Sequence, residues 1–122
     1  VVRNKRQNAE RRGQLAEHVA LWFLRFKGYR LLVRRYKSPA GEVDLIMRRG
    51  ATTIFVEVKA RSTVDEAVIS VTKHQSRRIS GAAAFYTSRD QIAAQGFCRF
   101  DIVAVPSYLW PSHIKNAFEG NR

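Results

Sequence analysis

Asp44, Glu57 and Lys59 are the residues whose types and spacing carry the most chemistry in this chain. They lie in Gly41–Lys59, where two alternating runs, 42–48 and 53–59, flank a turn containing Gly50. Alternation on either side of a short glycine turn is the pattern of a β-hairpin. If the hairpin is centred between Gly50 and Ala51, Asp44 stands opposite Glu57, and Glu42 opposite Lys59. Side chains so placed have Cβ atoms about 4.5–5.5 Å apart, and facing like charges destabilise the sheet. A divalent cation bound by oxygen ligands would compensate the acidic pair. Lys59, two residues beyond Glu57 on the same strand face, would stand beside it.

The rest of the chain must hold these groups. Asn8 is expected to cap a helix running to about Lys27, with Gly28 as the stop. Leu15, Val19, Trp22, Phe23 and Phe26 give this helix a broad apolar stripe to set on a sheet, and Ala16 and Ala20 permit close approach. Glu17, at the stripe's edge, either reaches the hairpin acids or pairs with Arg11, Arg12 or Arg25 at the surface. Residues 29–36 read as a strand, and the turn at 38–41 leads into the hairpin. Glu42 either joins a metal shell or neutralises Lys59.

Beyond Lys59, Asp65 and Glu66 suit a short helical turn, a lid above the site or a solvated loop. A further helix over 72–85 would pack Ile79, Ala82 and Ala83 and project Lys73, Gln75, Arg77 and Arg78, which could meet a phosphate backbone. A short helix capped by Ser88, a strand over 98–105 and a terminal helix over 114–118 complete the expected order. Asp101 is read as a paired structural acid. His18, His74 and His113 lack metal-ligand spacing.

A length of 122 residues and 45% apolar content fit one soluble domain, expected over 8–122 behind a basic arm, 1–7. No apolar run is long enough for a membrane span and no signal-peptide pattern precedes the first helix, so the expected location is the cytoplasm with no membrane partner. The single cysteine, Cys98, excludes an intrachain disulfide framework. The net charge of +12 favours a polyanion; residues 1–61 carry +10 of it and residues 62–122 only +2. Acids that persist in so basic a half are ion-pair partners or ligands.

Taken together, Ala16-Glu17, Gly41-Glu42-Val43-Asp44-Leu45-Ile46, Phe55-Val56-Glu57-Val58-Lys59-Ala60-Arg61, Lys73 with Arg77 and Arg78, and Arg99-Phe100-Asp101-Ile102-Val103 resemble the bacterial YraN or UPF0102 family over nearly the whole chain. That family is similar to archaeal Holliday-junction resolvases with a PD-(D/E)xK core. In this chain Val43-Asp44 stands for the usual Pro-Asp, and Glu57-Val58-Lys59 for the second half. Tyr36 replaces a common Asn. The resemblance implies an α/β fold, a restriction-endonuclease-like mixed β-sheet with helices on both faces. It further implies Mg2+ or Mn2+ held by Glu17, Asp44 and Glu57, with Lys59 completing the catalytic set.

The function so implied is metal-dependent, structure-selective DNA endonuclease activity, with DNA favoured over RNA as partner. A homodimer is compatible with it, because symmetric cleavage of a junction needs two sites. The alternatives are a nucleic-acid-binding module that keeps the fold without cleaving, and an interaction domain in which Asp44 and Glu57 pair with Arg34 or Arg35.

Overall fold

A five-stranded mixed sheet in the order β1-β2-β3-β4-β5 carries helices on both faces. The structure, a computed structural model, describes residues 5–107 and 110–118. The elements are α1 (Lys5–Phe26), β1 (Arg30–Ser38), β2 (Gly41–Arg49), β3 (Thr52–Lys59), α2 (Val64–Ser70), α3 (Lys73–Thr87), α4 (Gln91–Gln95), β4 (Phe97–Ala104) and β5 (Ser112–Ile114). This is the α/β, restriction-endonuclease-like arrangement expected, and no helix among the described residues is long and apolar enough to cross a membrane.

The hairpin register is the one the alternation demands. β2 and β3 pair antiparallel from Arg49↔Thr52 to Leu45↔Val56, centred between Gly50 and Ala51, and Gly50 takes φ 61 in the turn. β3 then pairs parallel with β4 from Thr52↔Phe97 to Lys59↔Ala104, the connection crossing through α2, α3 and α4. Being covered on both faces, β3 is buried from Thr53 to Glu57, with Ile54, Phe55 and Val56 as its apolar centre.

One face of the sheet buries Leu45, Met47, Ile54, Val56 and Val103 against Ala20, Leu21 and Leu24 of α1. On the other, Val43, Ile46 and Phe55 meet Ile79, Ala82 and Ala83 of α3. The α3 contact is a close one. A Cβ on Gly41 would lie 1.8 Å from the Arg78 carbonyl oxygen, and one on Gly81 2.2 Å from that of Ala40. Small residues therefore let helix and strand backbones touch, and this seats α3 at Arg78 and Gly81 over the start of β2.

Several expectations are corrected. α1 runs from Lys5, so Asn8 is inside the helix; positions 1–4 of the expected arm lie outside the described residues. The helix docks through Ala16, Ala20, Leu21 and Leu24, which are buried, while Leu15, Val19, Trp22 and Phe26 face outward. Its small residues decide the docking face, because they allow the axis to approach the sheet and the larger stripe does not. Asp90, not Ser88, caps α4: its carboxylate accepts from the Ala93 N–H at 2.9 Å. The helical turn expected for Asp65 and Glu66, by contrast, is present: both fall in the first turn of α2, capped by Thr63. The terminal helix is absent: Ser112–Ile114 add a fifth strand along β4, with Ile114 opposite Ile102. Pairing along the free edge of β4 gives Ser112–Ile114 backbone partners that a single isolated helical turn would not.

Candidate metal and phosphate site

The site forms where β2 and β3 part. Their ladder ends at Leu45↔Val56; beyond it β2 continues along β1 to Gly41, and β3 continues along β4 to Lys59. Asp44 and Glu57 occupy the next position on each strand. Asp44 Oδ2 accepts from the Val58 N–H at 2.8 Å, so a side chain takes over a backbone donor at the fork. Glu57, nearly buried, has its carboxyl in hydrogen-bond contact with that of Asp44. Burial first, then the Asp44 carboxyl, pushes the Glu57 pKa up to about 8, against the pull of Lys59.

Strict alternation does not describe this corner. Val33 and Tyr36 on β1, three residues apart, both pack on the α3 side, as do their partners Ile46 and Val43 on β2. A regular strand would put each pair on opposite faces. Between them stands Arg35 with φ 51, a left-handed conformation uncommon outside glycine. The irregularity at Arg35 and Asp44 turns both side chains relative to the rest of their strands.

Lys59 is anchored from two sides. Its Nζ is 3.5 Å from Glu57 Oε2 and 3.3 Å from Gln75 Oε1, with only 12% of the side chain exposed. The same Gln75 oxygen accepts from the Thr72 N–H at 3.2 Å, while Thr72 Oγ1 accepts from the Gln75 N–H at 3.1 Å. This reciprocal capping box fixes the start of α3 and, through Gln75, the lysine. Gln75 counted in the sequence only as a polar group on a basic helix; its place in Thr72-Lys73-His74-Gln75 is a capping signature that could have singled it out.

Glu17 lines the same cleft, about 400 Å³ in volume, together with Arg35, Glu42, Asp44, Glu57, His74 and Arg78. Its Oε1 accepts from Arg35 Nε at 3.0 Å. Of the surface partners weighed for Glu17, neither Arg11, Arg12 nor Arg25 is the one found here. Arg35 is thereby engaged by Glu17, not inserted between Asp44 and Glu57. Among the described residues no group of three or more His, Cys, Asp or Glu is gathered closely enough to hold an ion, so the site presents a carboxylate pair with Glu17 at its rim. Glu42 stands opposite Lys37 of β1, because the strands have separated before Lys59 could become its partner.

The pair nevertheless suits a cation. Two carboxyls stand side by side at the fork, and their mutual repulsion is relieved either by a proton or by a hard cation. Residues able to hold such an ion are Asp44 and Glu57, with the Val58 carbonyl beside them. His74 and Arg78, on the first turns of α3, add polar and cationic groups at the cleft wall.

Asp101 is a paired structural acid, as expected. Burial opposes its charge, but His113, Arg99 and the Asn116 N–H outweigh that and hold its pKa down at about 2. His113 lies in this cluster with Nε2 2.7 Å from Asp101 Oδ2 and Nδ1 2.6 Å from Lys27 Nζ. It ties β5 to the end of α1, on the sheet face away from α3.

Comparison with known proteins agrees with these motifs. The sequence profile described as uncharacterised protein family UPF0102 matches residues 16–105. A UPF0102 protein of Mesorhizobium japonicum is 46% identical over 115 residues, 94% of this chain and 92% of its own. One from Bartonella tribocorum is 41% identical over 122 residues, covering 100% and 94%. A third, from a Chelativorans species, is 46% identical over 117 residues, covering 96% and 94%. With Glu17, Asp44, Glu57 and Lys59 all inside the matched region, the chain belongs to the UPF0102 family.

Proposed function

We propose that the protein is a metal-dependent, structure-selective DNA endonuclease. The observation that supports this most is the contact of Asp44 with Glu57 at the strand fork, with Lys59 Nζ 3.5 Å from Glu57 Oε2. A fold needs no lysine held beside two touching acids, whereas phosphodiester hydrolysis uses both parts. Asp44, Glu57 and the Val58 carbonyl would hold Mg2+ or Mn2+, with Glu17 joining through water. When bound, the ion supplies Lewis acidity to the scissile phosphate and lowers the pKa of an attacking water.

The protein's own groups do the positioning. Lys59, fixed by Glu57 and Gln75, stabilises negative charge on the phosphate or orients the water. Arg78 and His74 border the cleft where the backbone would enter, and such contacts fix register without reading sequence. The overall charge of +12 steers a polyanion toward the protein.

One observation favours a second reading, a non-catalytic nucleic-acid-binding module. Glu17 is engaged by Arg35, and the three acids are not gathered into one ligand group among the described residues. The two readings separate in a cleavage panel of labelled single-stranded, linear duplex, flap and four-way-junction DNAs with Mg2+ or Mn2+. Cutting by the parent protein, lost in Asp44→Ala and Lys59→Ala, is expected. Binding of these DNAs without cutting at any metal concentration would replace the nuclease reading with the binding module.

A further inference from the structure

The outward face of α1 holds large apolar groups that the fold does not use. Leu15, Val19, Trp22 and Phe26 recur at four-, three- and four-residue spacing, and Phe26 is 88% exposed. Trp110 is 80% exposed and lies edge-on to Phe23, with ring centroids 6.3 Å apart. Cations are interleaved with these rings. Arg25 Cζ lies 4.8 Å from the Trp22 centroid and Lys27 Nζ 5.5 Å from that of Phe23, while Arg49 Cζ lies 4.4 Å from the ring of Tyr29, which is buried in the core beneath.

Among the described residues, the cations at the end of α1 are short of acidic partners. Arg49 Nη1 donates to the Lys27 carbonyl oxygen at 2.9 Å, which draws it to the lysine's own residue. Lys115 and Arg49 both act repulsively on Lys27, while the nearby acid, Asp101, is already engaged by Arg99, His113 and the Asn116 N–H. Exposed rings beside uncompensated cations fit a polyanion that also carries flat apolar faces.

We propose that this surface, centred on Phe26 and Trp110 and rimmed by Arg25, Lys27, Arg49 and Lys115, binds an unpaired nucleic-acid strand. The proposal rests on reading the cleft as a nucleic-acid site and adds a substrate feature: a single-stranded arm. Bases inside a duplex already stack on each other and cannot reach a protein ring, whereas unpaired bases can. Stacking of such bases on aromatic side chains, with Arg and Lys tracking the backbone, is tolerant of sequence. Glu17 and Phe26 are nine residues apart on one helix, an axial distance of about 13–14 Å. Nine residues at about 3.6 per turn also set the two side chains on opposite sides of the helix, so a strand that reaches both the cleft and the rings passes round α1. A second copy of the chain is the poorer occupant, since pairing two such faces would oppose Arg25, Lys27 and Arg49 with further cations on a protein of charge +12.

The test is binding by the full chain, in EDTA, of a labelled single-stranded oligonucleotide, a duplex with a single-stranded tail, and a blunt duplex. The parent is expected to bind the first two more tightly than the third, with quenching of tryptophan fluorescence. Phe26→Ala and Trp110→Ala, at exposed positions, should each weaken binding of the strand and the tailed duplex by about tenfold and leave the blunt duplex unchanged. Equal affinity for tailed and blunt duplexes, or variants that bind like the parent, would overturn the proposal. A dimer seen by sedimentation and dissociated by Phe26→Ala would overturn it too, assigning the face to a second copy. Because no metal is needed, failure of cleavage leaves this result standing; loss of all nucleic-acid binding by the parent would remove both readings.

Discussion

Asp44 Oδ2 lies 2.8 Å from the Val58 nitrogen, so the acid that faces Glu57 also completes the backbone of the neighbouring strand. The two tasks separate by substitution. Asp44→Asn keeps an oxygen acceptor for Val58 and removes the charge; Asp44→Ala removes both. Leaving a partly buried N–H without its acceptor costs about 1–3 kcal/mol. Melting experiments should therefore find Asn within about 1 kcal/mol of the parent and Ala below it. Any rise in melting temperature on adding Mg2+ or Mn2+ should disappear in both.

Glu57 makes stability depend on pH in a direction opposite to most carboxylates. Its pKa in the folded protein is raised to about 8 by burial and then by Asp44, from an ordinary value of 4.5. The folded state thus holds a proton that the unfolded chain has released. Its stabilising effect is full below about pH 4.5 and is lost as pH rises through about 8. Asp101, held down at about 2, contributes stability that is lost only in strong acid, well outside this window. Metal-free protein should lose stability from pH 5 to 8, and Glu57→Gln should flatten that slope. Cation affinity should rise over the same range, because the ion displaces the proton; isothermal titration at pH 6 and pH 8 measures this.

The central hairpin was legible because two signals agree there: strict alternation and a glycine able to take φ 61 at the turn. That agreement gave the Leu45↔Val56 register and so the proximity of Asp44 and Glu57. Periodicity alone sets α1 on the sheet by the wrong face, because the helix carries two apolar stripes. Periodicity reports both, but only sheet contact distinguishes the stripe with Ala16 and Ala20 from the one with Trp22 and Phe26. Ser112–Ile114 became a strand through pairing with β4, a partner distant in sequence. The partners of Arg35 and Gln75 are illegible for the same reason: the one reaches Glu17 and the other Lys59 only after the chain has folded.

Gln75 links helix capping to the lysine, and Gln75→Ala should separate the two effects by size. Loss of the capping box costs about 1 kcal/mol of stability. Loss of the Lys59 contact frees an ammonium that was held by two oxygens. A hydrogen bond to a charged group is worth about 1.5–3 kcal/mol, so cleavage should fall by about tenfold or more under conditions where the variant is fully folded. Gln75→Glu, which retains an acceptor for both Thr72 and Lys59, should keep more activity than Gln75→Ala. Melting curves alongside single-turnover cleavage distinguish a positioning effect from simple unfolding.

Gly81 tests whether the close seat of α3 positions the cleft. A Cβ there would stand 2.2 Å from the Ala40 carbonyl oxygen, and 2.9 Å from its carbon, so the backbone before β2 must move. Alanine is the better helix former by about 1 kcal/mol, which would favour Gly81→Ala if the helix were alone. Crowding of a packed backbone costs about 1–3 kcal/mol and should win, giving a net loss of stability. Any outward shift of α3 carries Gln75 away from Lys59 and Arg78 away from Gly41. Gly81→Ala should consequently lower cleavage more than Gly13→Ala, at a helical glycine whose added Cβ meets nothing within 4 Å. Gly13→Ala should instead raise the melting temperature, and denaturant titration of the two variants side by side measures the opposing signs.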